Sequence, residues 1–299
     1  MREREVHILQ NGGWDSRVIA FQYSDIVTTF AVVTRRYLVV IDTLLNPGMA
    51  ASAIRQVSED LKGRRLLVIN THADWDHAWG NACFVGQNAA HPAPIIGHRL
   101  CRTRLESEEE RRTLERMLGE DPDLYRGVTL VAPTVTVEHA LEIHGGDLTL
   151  HLFRTPGHKP DHLSVFIPEI SMLFPGDAAE YPLPFVESGR TLGQMVDSLA
   201  QMKSLNPKRV LCCHAPGRTD ISVIDLNIAY FDELRRRARA ARLLPELPPT
   251  ATDLDLASAM GFTWETASAL FEFITPQQEF YRGAHVAAIR AAVDELRLA

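Results

Sequence analysis

The segment from Thr71 to His77 has the sequence THADWDH, and the six residues from His72 to His77 include four potential metal ligands. They are two histidines and two aspartates, namely His72, Asp74, Asp76 and His77. Neutral imidazole and ionised carboxylate groups are ligands of divalent first-row metal ions. A single histidine or aspartate is more often a surface or capping residue, so the density of this cluster is what predicts a metal site.

The position of the cluster supports the same interpretation. It follows the apolar run Arg64–Asn70 (RRLLVIN), which is predicted to be a buried strand. Functional loops of α/β folds lie at the carboxyl ends of strands. Three more candidates stand beside tight turns or after apolar runs: His158 after Thr-Pro-Gly, Asp177 after Phe-Pro-Gly, and His214 after VLCC. Such turns hold a side chain in one direction, as a metal centre requires.

The order of these motifs resembles that of the metallo-β-lactamase-fold superfamily. The usual family motif is HxHxDH, followed by TPGH, PGD and a late histidine, and here the first motif is HxDxDH. The resemblance covers about two-thirds of the chain, roughly Val18 to Gly217, and the ordered set of four motifs is highly specific. It implies an α/β fold, a four-layer αββα sandwich with a dinuclear site at one edge of its two sheets.

The resemblance also implies a role for each candidate ligand. The first metal ion would be bound by His72, Asp74 and His158. The second would be bound by Asp76, His77 and His214. Asp177 would bridge the two ions. Asp76 and Asp177 are also the catalytic candidates, because each is placed to orient a hydroxide by accepting its proton in a hydrogen bond.

Asp74 departs from the family pattern, since most members have histidine at this position. A carboxylate is a harder, anionic donor, and this shifts the expected metal preference from zinc toward iron or manganese. The charges still balance, because two divalent ions offset three carboxylates and one bridging hydroxide when the histidines are neutral. We therefore expect two divalent ions as cofactors: zinc, or else iron or manganese.

The implied function is that of a metal-dependent hydrolase acting on a small molecule. Metal-bound hydroxide would attack an ester, thioester or lactone, and the fold alone does not choose the scissile bond. One alternative is a di-iron redox enzyme acting on oxygen or nitric oxide, for which Asp74 is the only support. It would need a separate electron donor, because the C-terminal region has no Gly-rich phosphate loop after a strand. The other alternative is a non-catalytic binding module.

Four residues near these motifs are candidates for substrate contact. Trp75 and Trp79 would form a wall of the pocket or belong to the core. His162, in the sequence GHKPDHLSVF, would contact substrate, support a metal ligand, or act only as a hydrogen-bonded scaffold residue. Tyr181, which follows Asp177, leaves the same alternatives open.

The elements that position these residues follow an α/β pattern. Short β-rich runs end in Tyr37–Ile41, a helix is predicted over Met49–Leu61, and a strand follows at Arg64–Asn70. The charged stretch Arg99–Leu118 predicts a mainly solvated helix. Strand-like runs between Thr134 and Phe174 predict a second sheet. A helix over Thr191–Leu205 and a strand over Arg209–Cys213 complete this half.

The pattern becomes helical after residue 221, which predicts a metallo-β-lactamase-like domain over residues 1–224 and a helical extension over residues 225–299. Its predicted helices are Asn227–Leu243, Trp264–Phe273 and Tyr281–Leu298, with a Pro-rich break at Leu244–Pro249. The extension would cover the core, line the pocket or build a homo-oligomer interface. The sequence does not separate these alternatives.

Composition limits the partners and the compartment. The 299 residues are 45% apolar and 23% charged, as in a folded protein, and the formal charge of −7 argues against binding to nucleic acid or anionic membranes. The four cysteines show no CxxC spacing, so neither a disulfide framework nor a zinc ribbon is indicated. The N-terminus carries charges where a secretory signal needs an apolar stretch. With no run of about 18 apolar residues, we expect a cytoplasmic protein.

The assignment of Asp74 can be tested by the substitution Asp74→Ala. It removes one expected ligand of the first ion, so we expect a lower metal content per chain and a loss of activity. Elemental analysis of protein purified without added metal measures the first effect. Unchanged metal content and activity would exclude Asp74 as a ligand.

Overall fold

The computed structural model describes residues 5–214, 218–241, 252–271 and 278–298. The strands are β1 (Val6–Ile8), β2 (Val18–Tyr23), β3 (Val27–Val33), β4 (Tyr37–Ile41), β5 (Arg65–Ile69), β6 (Ile95–His98), β7 (Val135–Val137), β8 (Ala140–His144), β9 (Thr149–Arg154), β10 (Leu163–Ile167), β11 (Met172–Phe174) and β12 (Arg209–Val210). The helices are α1 (Pro47–Gln56), α2 (Ser58–Leu61), α3 (Trp75–Ala78), α4 (Arg99–Leu105), α5 (Glu108–Glu120), α6 (Gly189–Ser204), α7 (Ser222–Ala241), α8 (Asp253–Ala259), α9 (Trp264–Ser268) and α10 (Gln278–Leu298).

The chain divides into two compact units. The first runs to Arg154 and includes Asp161–Met172, and the second comprises Thr155–Pro160 and the chain from Leu173 onward. The predicted α/β class, with two sheets and with helices after the last strand, is confirmed. No helix among the described residues is both long and apolar enough to cross a membrane.

The first unit contains a seven-stranded sheet in the order β1 to β7. Strands β1 to β4 pair antiparallel, whereas β4 to β7 pair parallel to their neighbours. Ile41 is in register with Ile69, so β4 and β5 end at the same edge of the sheet. This edge presents the residues that follow each strand, beginning with Asp42 after β4 and Asn70 after β5.

Most predicted elements of the first unit lie where the pattern placed them. The predicted strand Tyr37–Ile41 coincides with β4. The predicted helix Met49–Leu61 is divided into α1 and α2 at Val57, which is buried and leaves helical geometry with φ −115° and ψ 24°. The Asn46 carboxamide caps α1 by accepting the Met49 N–H, so this helix begins earlier than predicted.

The strand-like runs after Thr134 do not all belong to one sheet. Strands β8, β9 and β10 pair antiparallel in the second sheet. Strand β7, by contrast, pairs parallel with β6, with Val135 in register with Ile96. The prediction that all these runs belong to the second sheet was therefore wrong for Thr134–Val137 (TVTV). Alternation of side chains alone does not specify which strand a short strand pairs with.

Most residues of the charged stretch Arg99–Leu118 are exposed, as predicted. It forms two helices, because the Ser107 hydroxyl caps a new helix by accepting the Glu110 N–H. The Glu110 side chain is buried and accepts the Trp79 indole N–H at 2.9 Å. Burial raises the pKa of this carboxyl group above its ordinary value. The charged side chains that depart from this pattern are Glu110, which is buried, and Arg104, which is only 26% exposed.

The second unit is built around helices α6, α7 and α10. Helix α6 buries residues three or four positions apart, namely Leu192, Met195, Leu199 and Met202. It packs against α7 and α10, and α8 and α9 contact α10. Helix α7 begins at Ser222, five residues before the predicted start. The predicted break at Leu244–Pro249 lies outside the described residues, as do the predicted ends of two helices at Leu243 and Phe273.

A buried polar contact joins the C-terminal helices. The imidazole Nε2–H of His285 donates to the Phe262 carbonyl oxygen at 2.7 Å, and Nδ1 accepts the Tyr230 hydroxyl proton at 2.7 Å. Burial lowers the pKa of His285, so the neutral ring is favoured. The neutral form fits both contacts, because it has one donor and one acceptor nitrogen.

Among the described glycines of the first unit, Gly80 leaves the least space for an added side chain. An added Cβ would lie 1.9 Å from the carbonyl oxygen of Thr43, and the Gly80 N–H donates to the Leu44 carbonyl oxygen at 3.1 Å. The loop after β4 and the segment after α3 therefore approach each other backbone to backbone.

We expect Gly80→Ala to destabilise the protein by about 1–3 kcal/mol or more, because the added methyl group overlaps backbone atoms that cannot move without breaking this contact. Denaturant unfolding measures the change. The matched control is Gly119→Ala in α5, where an added Cβ meets nothing within 4 Å. There we expect equal or greater stability, by up to about 1 kcal/mol, since alanine favours the helix. Equal effects of the two substitutions would contradict the close approach at Gly80.

Candidate metal centre

The loop that carries the HxDxDH motif is held against the residues that follow β4. The Thr43 N–H donates to the His77 carbonyl oxygen at 2.7 Å. The side-chain amides of Asn70 and Asn81 form two reciprocal hydrogen bonds, of 3.0 and 2.8 Å. These contacts connect both ends of the loop to the sheet edge. They therefore fix the backbone positions from which its side chains extend.

Asp42 is the residue around which this loop is organised. Its side chain is 1% exposed and accepts three hydrogen bonds. The donors are the Thr71 N–H at 2.7 Å, the Thr71 hydroxyl at 2.8 Å and His77 Nδ1 at 2.9 Å. A buried carboxylate bound to three donors has one orientation, and it fixes that of each donor.

These hydrogen bonds determine which nitrogen of each histidine carries the lone pair. The His77 Nδ1–H donates to Asp42, so Nε2 is the acceptor nitrogen. The Thr71 hydroxyl has one proton, which it gives to Asp42, and it therefore accepts the Nδ1–H of His72 at 3.0 Å. The Nε2 atom of His72 is then an acceptor as well. The two rings lie side by side, with centroids 4.2 Å apart.

Each acceptor nitrogen faces a carboxylate oxygen. The His72 Nε2 atom lies 3.6 Å from Asp74 Oδ2, and the His77 Nε2 atom lies 3.6 Å from Asp76 Oδ2. This separation is too long for a hydrogen bond. Two ligands each about 2.1 Å from one ion, at a tetrahedral angle, are about 3.4 Å apart. Both pairs therefore have the spacing and the chemistry of two ligands of one cation.

The second unit contains the same arrangement around Asp177. One oxygen of this buried side chain, Oδ2, lies 3.6 Å from His158 Nε2 and 3.4 Å from His214 Nε2. His158 Nδ1–H donates to the Phe185 carbonyl oxygen at 3.3 Å, so its Nε2 is again the acceptor. A single oxygen facing two imidazoles suits a carboxylate that bridges two ions.

Glycine fixes the turn before His158. Gly157 has φ +148°, and a Cβ there would lie 2.5 Å from the Met195 Cα atom of α6. A larger residue would therefore displace this turn from α6.

Glu180 is a candidate that the sequence analysis missed. Its side chain is 2% exposed. One carboxylate oxygen of Glu180, one ring nitrogen of His158 and one carboxylate oxygen of Asp177 all lie within 4.8 Å of one another. Asn227 holds the Glu180 backbone, donating to its carbonyl oxygen at 2.8 Å and accepting its N–H at 3.1 Å. The Tyr281 hydroxyl of α10 contacts the carboxylate at 3.4 Å. No motif surrounds Glu180, and its place three residues after Asp177 is the only signal.

Arg104 and Asp161 form hydrogen bonds with the loop, and neither contact was predicted. The Arg104 guanidinium donates to Asp74 Oδ1 at 2.5 Å and to Asp161 Oδ1 at 2.7 Å. The second oxygen of Asp161 accepts the Ala73 N–H at 2.9 Å. Burial alone would disfavour the charged guanidinium, but these two carboxylates raise the pKa of Arg104 above its ordinary value.

The predicted substrate-contact residues occupy different environments. Trp79 is 0% exposed and packs its ring edge-on against Tyr125, with centroids 5.6 Å apart. Trp75 is partly buried and packs against the hydrophobic cluster that contains Trp79 and Tyr125. His162 is also 0% exposed, with its ring 5.0 Å from that of His72. Tyr181 is buried beneath Arg218, whose Cζ atom lies 4.7 Å from the ring centroid. Contact of these residues with a substrate stays a prediction.

All four cysteines (Cys83, Cys101, Cys212 and Cys213) are buried thiols. Burial raises the pKa of Cys83 to about 11 and that of Cys212 still further. A thiol with a raised pKa is a poor nucleophile at neutral pH. The reactive groups of this region are therefore its imidazoles and carboxylates.

The role of Asp42 predicts the effect of Asp42→Asn. The amide group keeps the volume but replaces an acceptor oxygen by a donor, so the orientation of His77 is lost. We expect metal affinity to fall by about 10- to 100-fold, as for other residues that orient a metal ligand. Titration with a metal-responsive chelator measures the affinity. Asp232→Asn, at an exposed position of α7, is the control that should leave it unchanged. Equal affinity of Asp42→Asn and wild type would contradict this role.

The part of the chain that carries the candidate ligands resembles known sequences. The sequence model of the metallo-beta-lactamase superfamily matches residues 24–214. A curated relative from Caenorhabditis elegans, described as a beta-lactamase-like protein 2 homolog, is 30% identical over 119 residues. That alignment covers 37% of this chain and 36% of the relative. The chain thus matches little more than a third of this relative's length.

Solved structures show the same fold at low sequence identity. A metallo-beta-lactamase from Pontibacter korlensis is 17% identical with a TM-score of 0.57, covering 76% of this chain and 99% of that one. A metallo-beta-lactamase family protein from Thermus thermophilus is 16% identical with a TM-score of 0.58, covering 91% of this chain and 87% of that one. The predicted metallo-β-lactamase fold is confirmed, and the matched region exceeds half of the sequence. The chain belongs to the metallo-β-lactamase superfamily.

Proposed function

We propose that this protein is a dinuclear metal-dependent hydrolase that acts on a small-molecule ester, thioester or lactone. The observation that carries the proposal is the repeated pairing of an imidazole nitrogen with a carboxylate oxygen. Four such pairs are separated by 3.4–3.6 Å, the spacing of two ligands of one ion. Membership of the metallo-β-lactamase superfamily supports it independently.

The proposed ligands form two sets. One ion is assigned to His72, Asp74 and His158. The other is assigned to Asp76, His77 and His214. Asp177 is assigned to both ions. The ligand pairs within each unit agree with this division, since His72 faces Asp74, His77 faces Asp76, and Asp177 faces the two later histidines.

When bound, two divalent ions would lower the pKa of a coordinated water molecule and polarise the oxygen of a substrate carbonyl group. The chain itself supplies orientation. Asp42 and Thr71 hold the two histidines of the motif with Nε2 directed toward Asp74 and Asp76. Asp76 and Asp177 would hold the ions and would orient the water by accepting its hydrogen bond.

A di-iron redox enzyme is the second candidate function, and the observation that favours it is the carboxylate at position 74. The Arg104 guanidinium, however, partly offsets the charge of this carboxylate. This weakens the argument from a hard, anionic ligand toward iron. The hydrolase therefore remains the better supported proposal, and the metal content distinguishes the two.

The test combines metal analysis with a substrate panel. We expect about two equivalents of zinc or manganese per chain in protein purified without added metal, with turnover of at least one ester, thioester, lactone or β-lactam. His72→Ala and His158→Ala should each lose metal and reduce turnover at least about 100-fold. His139→Ala, at an exposed position, is the matched control.

Other outcomes would overturn the proposal. Two irons with an oxo-bridge absorption band and no hydrolysis would indicate the redox enzyme. Less than one equivalent of any metal after reconstitution would indicate a binding module. Retention of both ions in the His72→Ala and His158→Ala variants would show that the ligand assignment is wrong.

A further inference from the structure

Arg104 is a partly buried cation that the proposed hydrolase mechanism does not use. It lies near the end of α4, the helix that follows β6, and its side chain is 26% exposed. A guanidinium in such a place normally neutralises one buried carboxylate. Here it contacts two, Asp74 at 2.5 Å and Asp161 at 2.7 Å. The second contact has an evident structural purpose, since Asp161 is 0% exposed, whereas Asp74 is at the proposed metal centre.

The two oxygens of Asp74 have different neighbours. Oδ1 accepts from Arg104, whereas Oδ2 lies 3.6 Å from the acceptor nitrogen of His72. A carboxylate is planar, so fixing Oδ1 fixes the direction in which Oδ2 points. A second constraint acts on the backbone, because Asp161 accepts the N–H of Ala73, which precedes Asp74. The side chain and the backbone at position 74 are thus oriented by one connected group of residues.

The pair also resembles a histidine ligand in its hydrogen bonding. A neutral imidazole offers one ligand atom, no net charge, and one N–H that needs an acceptor. An aspartate paired with arginine also offers one ligand oxygen, its second oxygen is already hydrogen-bonded, and its negative charge is partly offset by a guanidinium that it shares with Asp161. A lone aspartate would add an uncompensated negative charge to a centre that already contains two carboxylates.

We propose that Arg104 is a positioning residue for the metal ligand at position 74, and that Asp74 and Arg104 together replace the histidine of the usual HxHxDH motif. This inference rests on the proposed metal centre. Its consequence is that metal affinity depends on the pair of residues and not on Asp74 alone. Arginine has only donors, so it suits a carboxylate at position 74 and does not suit an imidazole, whose outer N–H is also a donor.

A double-substitution cycle tests the pairing. The proteins are wild type, Asp74→His, Arg104→Gln, and the double variant Asp74→His with Arg104→Gln. The measurements are the zinc and manganese affinities, by competition with a chelator, and the melting temperature of the metal-free protein. Arg102→Gln is the matched control, because Arg102 lies on the same helix, is 46% exposed and pairs with Glu106.

We expect Asp74→His alone to bind zinc at least tenfold more weakly than wild type, because two donors then face each other. The double variant should regain at least tenfold, since the Gln carbonyl oxygen accepts the imidazole N–H, and it should prefer zinc over manganese more than wild type does. Arg102→Gln should leave both affinities within about threefold. If Arg104 served only to neutralise Asp161, the effects of the two substitutions would simply add, and that result would overturn the proposal.

Arg104→Lys provides a second test if the Gln variants do not fold. It keeps a positive charge beside Asp161 but loses the forked geometry that reaches both carboxylates. We expect a nearly unchanged melting temperature without metal and at least tenfold weaker metal binding. Unchanged metal affinity of Arg104→Lys would also refute the pairing. Absence of metal binding by the wild-type protein itself would instead refute the proposed function, so the two failures are distinguishable.

Discussion

The loop of candidate metal ligands in the first unit depends on one buried carboxylate. Asp42 accepts three hydrogen bonds, two from Thr71 and one from His77, and through Thr71 it also fixes the ring of His72. The parallel pairing of β4 with β5 is what brings this residue to the loop, because both strands end at the same edge. The tautomers of His72 and His77 and the directions of their Nε2 atoms follow from that arrangement. A change in the register of β4 against β5 would therefore move Asp42 away from its three donors.

The candidate ligands and the strands before them could be predicted from the sequence, since motif order and apolar runs are local signals. The strand Tyr37–Ile41 was placed to the residue. Residues that act through another residue gave no such signal. Arg104 lies in a charged stretch that looks solvated, and only the fold shows that one side of α4 meets Asp74 and Asp161. Strand β7 was assigned to the wrong sheet because three alternating residues do not define a neighbour.

Each unit supplies its own set of imidazole and carboxylate groups, and the two sets follow the same rule. At His72, His77 and His158 the Nδ1–H donates a hydrogen bond that fixes the ring, and a carboxylate oxygen lies 3.6 Å from Nε2. The acceptors differ, being Asp42 for His77 and the Phe185 carbonyl oxygen for His158. One of the C-terminal helices also contacts these residues. The Tyr281 hydroxyl of α10 contacts the Glu180 carboxylate, which lies close to Asp177.

The ion pair between Asp74 and Arg104 has an evolutionary consequence. If a histidine at position 74 cannot share its surroundings with an arginine, neither residue can be exchanged alone without a poorly functioning intermediate. Homologous sequences should then show correlated changes at these two positions, with aspartate accompanied by arginine and histidine accompanied by a residue that accepts a hydrogen bond. Descent from a histidine-bearing ancestor would have required the helix after β6 to change together with the motif.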